Sequence, residues 1–408
     1  MKKINIVLFL SLLLAGCSKP GFYDKVDLSF GLYNEARNYQ ISETRIVEEN
    51  EYFKFNGRYY FDNNVCFTNF SSSGITLSFT GSNLEALIYS THANDNKNRP
   101  YLAIKVDDQA VEEYKPIQLT NNTSSYQTHK EGNYYVHENV ILAHNLEYKK
   151  HTISIYKRSE CLNSKVGFKT FSCDGKFEKL TNSNKLKIEY YGDSVTCGYA
   201  VESNDYYENF STRTENATKS FTFLTSNKLN AEASLISCGG YPMYKSEYSK
   251  NNNPSTIKEM ISLASVDYYS INPPTWDNNK YIPDVVVIAL GANDGSTLSK
   301  FEKGSNEYNN FIEQFKQAYI DFINTINNKY TNNPYIIISD EILPINEDLK
   351  LATNQVYEQL KSNKIIRATY DAFEKASDRT LPGEGHPNYE MHCLAANSLS
   401  DLIESLFK

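Results

Sequence analysis

Apolar and polar positions alternate along much of the first half of the chain. Residues 75–79 read Ile-Thr-Leu-Ser-Phe, and the segments 85–89, 101–106 and 151–156 follow a similar rhythm between turn residues. A repeat of two places successive side chains on opposite faces, which is typical of a β-strand with one buried face. Short strands at this spacing predict an all-β sandwich, or jelly roll, over residues 41–180.

Beyond about residue 182 the pattern changes to continuous apolar runs separated by helical periodicity. Helices are predicted at 306–328 and 347–360, where apolar residues recur every three or four positions. Helices that alternate with buried strands indicate a parallel sheet covered on both faces. The fold class of residues 181–408 is therefore α/β, a three-layer α/β/α domain with about five strands, at 186–191, 234–237, 285–290, 335–339 and 365–369.

The first residues have the pattern of an export signal. Two lysines precede an apolar run over residues 4–14, and a Leu-Ala-Gly-Cys sequence ends at Cys17. This run is too short to cross a bilayer as a mature helix. The sequence resembles a bacterial lipobox, in which the cysteine is acylated after cleavage; an ordinary secretory signal is the alternative. We therefore expect a signal peptide over 1–16, a tether over 17–40, and export with lipid anchoring to the bacterial cell envelope through Cys17.

The charge of the chain limits its partners. Lys and Arg number 41 against 49 Asp and Glu, which gives a net charge of -8. Nucleic acid is not an expected partner, because phosphate binding requires clustered cations. The 32 tyrosines suit a β-rich fold and a surface that contacts sugars, since a phenol ring offers flat area and one hydroxyl. No Cys or His cluster has the spacing of a zinc site, and no metal or cofactor is implied.

Export would allow the cysteines of the chain to form disulfides, because these bonds persist in an oxidising compartment. Cys161 and Cys173 flank a short glycine-containing stretch and would suit a bridge across a hairpin, but buried thiols fit equally well. The sequence does not choose among the pairings of the six cysteines that follow the lipobox, which are Cys66, Cys161, Cys173, Cys197, Cys238 and Cys393.

Chemically capable residues follow the predicted strands of the second half. The first strand leads into a Gly-Asp-Ser sequence ending at Ser194, the second into Gly239 and Gly240, and the third into Asn293. Groups just past the carboxyl ends of strands in an α/β sheet lie in the ligand crevice. A serine there has access to substrate and to backbone N–H groups, and an asparagine amide can donate to a developing oxyanion. Each of these sequences alone is also an ordinary turn, and only their order along the chain indicates a catalytic site.

The histidines sharpen this argument, since only His386 and His392 occur beyond residue 182. A serine becomes nucleophilic only beside a base, which this domain must draw from that pair. His386 lies in a Gly-His-Pro-Asn loop before the last helical stretch, whereas His392 falls at the start of the helix. The loop histidine is the better base, and His392 is expected to pack or to cap.

The order of these motifs resembles the four blocks of the SGNH hydrolase superfamily, also called GDSL. On this resemblance Ser194 is the nucleophile and His386 is the base. The resemblance also implies an oxyanion hole formed by the Ser194 N–H, by Asn293, and by Gly239 or Gly240, between which the local alignment does not decide.

One position departs from the superfamily pattern. An aspartate usually lies three residues before the catalytic histidine, where this chain has Gly383. Glu384 matches the position at which many members of one family within this superfamily carry an acid, and its carboxylate would be able to orient the imidazole. A Ser-His dyad with a backbone carbonyl orienting the ring is the alternative.

The chain resembles carbohydrate esterase family 2 over about residues 45–405, because that family pairs an N-terminal β-sandwich with this hydrolase domain. Local matches lie at 57–58, 79–81, 157–160, 194–199, 276–277 and 283–288. The resemblance implies removal of acetyl or another small acyl group from a polysaccharide or oligosaccharide. Trp276, Tyr199 and Tyr241 are candidates for stacking on a sugar ring, although core packing fits each equally well.

Two other functions fit the same sequence. The first is an SGNH esterase that acts on acyl groups of the cell envelope or on lipids. The second is a non-catalytic glycan-binding lipoprotein, against which the intact Ser194, Asn293 and His386 argue. No oligomeric state is predicted.

Overall fold

The computed structural model describes residues 38–92, 96–119, 126–128, 134–181, 184–266, 272–343 and 345–408. The expected signal peptide and Cys17 lie outside the described residues, as does nearly all of the expected tether. None of the helices in the described part of the chain has the length and apolar character needed to span a bilayer.

Two antiparallel sheets form the first domain, as the alternating pattern predicted. Their strands are β1 (Glu43–Ile46), β2 (Phe53–Asn56), β3 (Tyr59–Asp62), β4 (Val65–Thr68), β5 (Gly74–Gly81), β6 (Leu84–His92), β7 (Tyr101–Val106), β8 (Lys115–Gln118), β9 (Tyr126–Thr128), β10 (Tyr134–Ala143), β11 (Lys149–Lys157), β12 (Ser164–Cys173) and β13 (Lys176–Glu178). One sheet has the order β3-β4-β12-β6-β10-β9, with β1 also paired to β12. The other has the order β13-β5-β11-β7-β8, with β2 paired to β5.

The β5–β11 pair illustrates how the pattern produces the sandwich. Ile75 lies opposite Ile155 and Leu77 lies opposite Ile153, and all four side chains are buried in the core between the sheets. The intervening Thr76 forms a 2.8 Å hydrogen bond to a serine hydroxyl of β11 on the other face. Because the side chains of a strand alternate, the apolar set meets the second sheet and the hydroxyl set does not.

The second domain contains a parallel sheet of five strands in the order β15-β14-β16-β17-β18, which confirms the predicted α/β architecture. Its elements are β14 (Lys187–Gly192), α1 (Ser194–Cys197), α2 (Phe221–Lys228), β15 (Glu232–Ser237), β16 (Val285–Ala289), α3 (Ala292–Leu298), α4 (Asn306–Lys329), β17 (Tyr335–Ser339), α5 (Glu347–Leu360), β18 (Ile365–Ala368), α6 (Ala372–Lys375), α7 (Pro382–Gly385) and α8 (Tyr389–Ser405). Short 3-10 helices occur at Asn96–Asn98, Val111–Glu113, Ala217–Lys219, Ile257–Ser262 and Asn278–Lys280.

Helices cover both faces of this sheet, which explains the continuous apolar runs. Val286 and Ile288 of β16 pack in one core with α4 and α5. Val285 and Val287 pack in a second core with α2 and α8. Since both faces of the strand are buried, no polar residue interrupts it.

A buried ion pair joins the two domains. Arg58, between β2 and β3, donates to Glu189 of β14 at 2.7 Å, and neither side chain is exposed. The guanidinium also donates to the carbonyls of Met260 and Leu263 at 2.8 Å each. Tyr330 donates to the Glu189 carboxylate at 3.1 Å. These contacts fix the sandwich against the amino half of the parallel sheet.

Candidate active site

The predicted site residues lie at the carboxyl edge of the parallel sheet. The chain runs from β14 to β15 on one side and on to β16 on the other, so β14 marks the point where the strand order reverses. A crevice forms at such a point in open α/β sheets, just outside the carboxyl ends of the strands. Ser194 follows β14 and lies at this edge, as do the segments that follow β15 and β16.

Ser194 begins the single helical turn α1 and is 9% exposed. The side chain of Asp193 caps this turn by accepting the N–H of Val195 at 3.1 Å. Burial raises the pKa of Asp193 to about 7, against the effect of this hydrogen bond. The cap holds the serine at the amino end of the turn, where backbone N–H groups are unused by the helix.

His386 contacts Ser194 directly. Its Nε2 lies 2.9 Å from the serine Oγ, and its Nδ1 lies 2.8 Å from the carbonyl oxygen of Gly383. A carbonyl oxygen only accepts, so Nδ1 carries the hydrogen and Nε2 is left to accept the serine proton. Burial lowers the pKa of His386, which keeps the ring neutral and able to act as a base.

The conformation of Gly383 explains why its carbonyl reaches the ring. Its φ is +47°, and a Cβ at this position would lie 2.1 Å from the Cβ of Ala200. Only glycine fits here, for reasons of backbone conformation and of space. The departure from the superfamily pattern at this position thus coincides with a backbone carbonyl that takes the place of the usual carboxylate.

Glu384 does not reach the imidazole, contrary to one of the two alternatives considered for the third member. Its carboxylate accepts the hydroxyl of Tyr199 at 3.1 Å. Its negative charge raises the pKa of His386, but less than burial lowers it. The structure therefore favours the backbone-carbonyl alternative, with Glu384 acting on the ring only through its charge.

The expected oxyanion donors are held by buried acids. The Asn293 Nδ2 donates to Asp193 at 2.8 Å and to the carbonyl of Tyr241 at 3.2 Å. The N–H of Gly239 donates to the carboxylate of Glu160, a residue from the end of the sandwich domain. Of the two glycines considered for the hole, Gly239 is thus already engaged.

The three aromatic residues considered as candidates for stacking on sugar are covered by other parts of the protein. Trp276 is 6% exposed and packs between the domains beside Tyr59. Tyr241 is buried in the core of the hydrolase domain. Tyr199 stacks on the His386 ring at 4.1 Å and on Phe210 at 4.8 Å, so it supports the imidazole. Position in the sequence did not reveal this, because partners from other elements cover each ring.

Exposed tyrosines that belong to none of the predicted site motifs border the site instead. Tyr206 is 55% exposed, and its carbonyl accepts the N–H of Glu384 at 2.9 Å. Tyr207 is 84% exposed, and its ring packs edge-on against that of Tyr206. Tyr248 is 70% exposed and adjoins Gly240. All three lie in loops, and the chain has 32 tyrosines, so no sequence signal distinguished them.

His392 has the structural role expected of it. The ring is buried, and its Nδ1 accepts the N–H of Phe221, the first residue of α2. Burial lowers the pKa of His392 to about 3. It therefore accepts the first N–H of α2 as a neutral ring, and within the described part of the chain it forms no hydrogen bond with Ser194.

Cysteines in the described part of the chain are free thiols, so the bridge considered between Cys161 and Cys173 is not formed. Among the described residues, Glu160, Cys197 and Glu215 have possible metal-ligand atoms within 4.8 Å of one another. The carboxylate of Glu160 already accepts the N–H of Gly239, which fits a hydrogen-bonding role for this group.

Two family models match the two domains of the chain. Residues 55–181 match the carbohydrate esterase 2 N-terminal model, and residues 188–399 match the GDSL-like lipase/acylhydrolase model, which covers about half of the chain. The chain belongs to the GDSL-like lipase/acylhydrolase family. The predicted resemblance to SGNH hydrolases and to carbohydrate esterase family 2 is confirmed, and with it the prediction of a carbohydrate esterase.

Curated relatives and solved structures share this organisation. The chain is 24% identical to an acetylxylan esterase / glucomannan deacetylase of Cellvibrio japonicus over 91% of its own length and 94% of that protein. It is 28% identical to the cellulase/esterase CelE of Acetivibrio thermocellus over 67% of its length, but spans only 30% of that protein. A family two carbohydrate esterase from Clostridium thermocellum, solved with cellohexaose, superposes with a TM-score of 0.70 and 22% identity, covering 87% of this chain and 99% of that one. A Cellvibrio japonicus structure of the same family also gives 0.70, at 21% identity and coverage of 89% and 98%.

Proposed function

We propose that the chain is a serine O-acetyl esterase that removes acetyl groups from an acetylated polysaccharide or oligosaccharide. The observation that carries this proposal is the continuous contact from Ser194 through His386 to the carbonyl of Gly383. Such a contact supplies a nucleophile, its base and the group that orients the base. It lies at the crevice where α/β enzymes bind their ligands.

In the proposed reaction, His386 Nε2 takes the hydroxyl proton of Ser194 as Oγ attacks the ester carbonyl. The imidazolium keeps its Nδ1 hydrogen on the carbonyl of Gly383, whose dipole stabilises the added charge. When the tetrahedral intermediate collapses, the Nε2 hydrogen passes to the leaving sugar oxygen, and an acyl-serine remains. Water then attacks this ester by the same route and releases acetate.

Negative charge on the carbonyl oxygen needs donors that are already in place. The Ser194 N–H, the Asn293 amide and a glycine N–H are the proposed donors, as the superfamily resemblance implies. The side chain of Asp193 supports this assignment, because it caps the turn that begins at Ser194 and accepts the Asn293 amide at 2.8 Å. The second hydrogen of that amide is donated to the Tyr241 carbonyl at the longer distance of 3.2 Å, and in the proposed reaction it turns from that carbonyl to the oxyanion.

A carbohydrate substrate is supported by the surface beside the site. Tyr206 and Tyr207 adjoin the His386 loop, and Tyr248 adjoins Gly240, so exposed rings border the crevice on two sides. Flat phenol rings with a free hydroxyl suit stacking on sugars. The names of the Cellvibrio japonicus relative, acetylxylan esterase / glucomannan deacetylase, suggest hemicellulose as the class of polymer.

A panel of esters tests this function. The purified chain is incubated with acetylated xylan, acetylated glucomannan, O-acetylated peptidoglycan and an acyl lipid, and the acid released is measured. Release of acetate from xylan or glucomannan, absent in the Ser194→Ala variant, is the expected result. Turnover confined to peptidoglycan or to lipid would instead identify an enzyme of the cell envelope, and no turnover of any ester would exclude catalysis.

We also propose that the exported protein is anchored to the bacterial cell envelope by a lipid on Cys17. Support comes from the charged start, the apolar run over residues 4–14 and the Leu-Ala-Gly-Cys sequence. Mass spectrometry of the protein from its own host should find acylated Cys17 as the first residue, and Cys17→Ser should abolish that mass. An unmodified Cys17 in the wild-type protein would contradict the anchor.

A further inference from the structure

A side chain from the sandwich domain enters the catalytic half of the molecule. Glu160 lies just after β11 and is 6% exposed. Its carboxylate accepts the N–H of Gly239, which lies two residues after the end of β15. Asn163 donates to the other carboxylate oxygen at 3.3 Å. One carboxylate thus links the first domain to the glycine turn of the second.

A second buried carboxylate holds the other end of the same loop. Asp294, which follows β16, accepts the N–H groups of Met243, Tyr244 and Lys245 at 2.9, 2.9 and 3.0 Å. Asn293, its neighbour, donates to the carbonyl of Tyr241 in the middle of the loop. Residues 239–245 are therefore fixed at both ends, by acids that come from different domains.

The Glu160 contact decides which glycine N–H remains for the reaction. The N–H of Gly239 points at the carboxylate and is engaged there. Gly240 follows with φ of +78°, and a Cβ at that position would lie 2.9 Å from the Cβ of Tyr248. Only glycine adopts this left-handed turn readily in so close a space. The chain therefore changes direction at Gly240, directly after Gly239, whose N–H Glu160 accepts.

We propose that Glu160 is a positioning residue of the esterase, which fixes Gly239 so that the N–H of Gly240 completes the oxyanion hole. This inference rests on the proposed serine esterase mechanism. It makes the sandwich domain part of the catalytic arrangement, because without it the glycine turn loses one of its two fixed ends.

The surroundings of Glu160 show which property of the side chain matters. Glu215 lies beside it and accepts the Glu160 N–H at 3.0 Å, and Lys157 donates to the Glu160 carbonyl at 2.8 Å. Burial raises the pKa of Glu160, and burial beside Glu160 raises the pKa of Glu215 well above its usual range. The carboxyl group of Glu160 has an oxygen that accepts the Gly239 N–H whether or not the acid is ionised. The contact therefore requires an acceptor at the right distance and does not require a charge.

Three substitutions separate distance, charge and acceptor. Glu160→Gln keeps an oxygen at the same distance without the charge. Glu160→Asp keeps the charge but is one methylene too short to reach Gly239, and Glu160→Ala removes the acceptor. Glu49→Gln is the matched control, since Glu49 forms an exposed ion pair with Lys280 between the same two domains. Each full-length variant is compared with the wild type for kcat and KM on 4-nitrophenyl acetate, and for thermal unfolding.

A boronic acid provides a readout that a purely structural role would not change. It adds to the serine oxygen and forms a tetrahedral anion that uses the oxyanion hole. We expect Glu160→Ala and Glu160→Asp to lower kcat about 10- to 100-fold, with a similar loss of affinity for phenylboronic acid and little change in KM. Glu160→Gln and Glu49→Gln should stay within about threefold of the wild type.

Equal losses in Glu160→Gln and Glu160→Asp would overturn the proposal, because charge or packing would then matter more than the acceptor. Wild-type boronate affinity in Glu160→Ala or Glu160→Asp, or faster turnover in either, would overturn it as well. If Glu160→Ala does not fold, the Gln and Asp pair still gives the comparison. Failure of the wild type to hydrolyse acetate esters would reject the proposed function, whereas the boronate comparison tests Glu160 independently of the ester.

Discussion

Buried acids near the two ends of β14 and β16 are satisfied in different ways. In the amino half, Arg58 and Glu189 neutralise each other. At the carboxyl edge, Asp193 and Asp294 have no buried cation beside them in the described contacts and are held by N–H groups. Burial raises the pKa of Asp193 to about 7 and that of Asp294 to about 6.

This difference shows how the fold divides stability from chemistry. The Arg58–Glu189 ion pair joins the two domains, and because both side chains are fully buried it has no atoms available to a ligand. Acids satisfied by backbone N–H groups instead fix the loops that carry the serine, the asparagine amide and the glycine turn. Substitutions in the amino half should therefore change the free energy of unfolding, and those at the carboxyl edge should change turnover.

The largest effect is expected at Ser194. Ser194→Ala removes the attacking oxygen, so kcat on an acetate ester should fall at least about 1000-fold while the unfolding midpoint stays within a few degrees. Rates are measured with 4-nitrophenyl acetate, and Ser398→Ala on the exposed face of α8 is the matched control. Retention of more than about a tenth of wild-type turnover would remove Ser194 from its role.

Breaking the Arg58–Glu189 ion pair should lower the stability of the protein and leave its turnover nearly unchanged. Arg58→Met leaves Glu189 buried without its cation, so we expect a loss of about 3–5 kcal/mol in the free energy of unfolding, with kcat within about threefold of the wild type. Urea denaturation and steady-state kinetics measure the two quantities. The double variant Arg58→Met with Glu189→Met should recover part of the lost stability. A large drop in kcat of folded Arg58→Met would contradict the division between the two ends.

His392 provides a test within the helical layer. His392→Ala removes a buried ring and the acceptor for the first N–H of α2, which should lower the free energy of unfolding by about 1–3 kcal/mol and leave kcat nearly unchanged. His386→Ala should do the reverse and match Ser194→Ala in its loss of turnover. Exchange of these two outcomes would overturn the assignment of the base.

Glu384→Gln should have only a modest effect on turnover, because the carbonyl of Gly383 orients the imidazole. We expect kcat to fall a few-fold, by about 2- to 5-fold. The negative charge of Glu384 raises the pKa of His386, so its removal should also move the acid limb of the rate profile to lower pH. Tyr199→Phe is the control that removes only the hydroxyl contacting Glu384. A loss of about 100-fold or more would restore Glu384 as the orienting acid.

The pH dependence of wild-type kcat/KM tests the lowered pKa of His386, and the expected effect is the smallest of this series. Burial disfavours the charged ring, so the pKa of His386 lies below its ordinary value of 6.5. Catalysis needs the neutral form, and kcat/KM should therefore persist below pH 6.5 and decline only as the pH falls through the lowered pKa. The measurement is kcat/KM across a series of buffers at constant ionic strength. An acid limb centred above 6.5 would place another group in control.

Much of the fold followed from local pattern. The strand predicted at 335–339 and the helix predicted at 347–360 agree with β17 (Tyr335–Ser339) and α5 (Glu347–Leu360) to the residue. The Gly-Asp-Ser sequence after the first strand and the choice between only two histidines also predict Ser194 and His386 as site residues, and the structure places His386 Nε2 at 2.9 Å from the Ser194 Oγ. Of the two alternatives that the sequence left open for Trp276 and Tyr241, sugar stacking or core packing, the structure shows core packing, since both side chains are buried.

The sequence by itself determined the two-domain organisation and the order of the motifs, and it predicted Ser194 and His386 as the nucleophile and its base. The domain organisation follows from periodicity, which is a local property, and the site prediction follows from the resemblance of the motifs to a known superfamily. Only the tertiary structure decided that Gly383 supplies the acceptor for His386 and that Glu160 holds Gly239. A backbone carbonyl leaves no mark in a sequence, and Glu160 meets its partner 79 residues further along the chain. Contacts of that kind exist only once two domains are packed together.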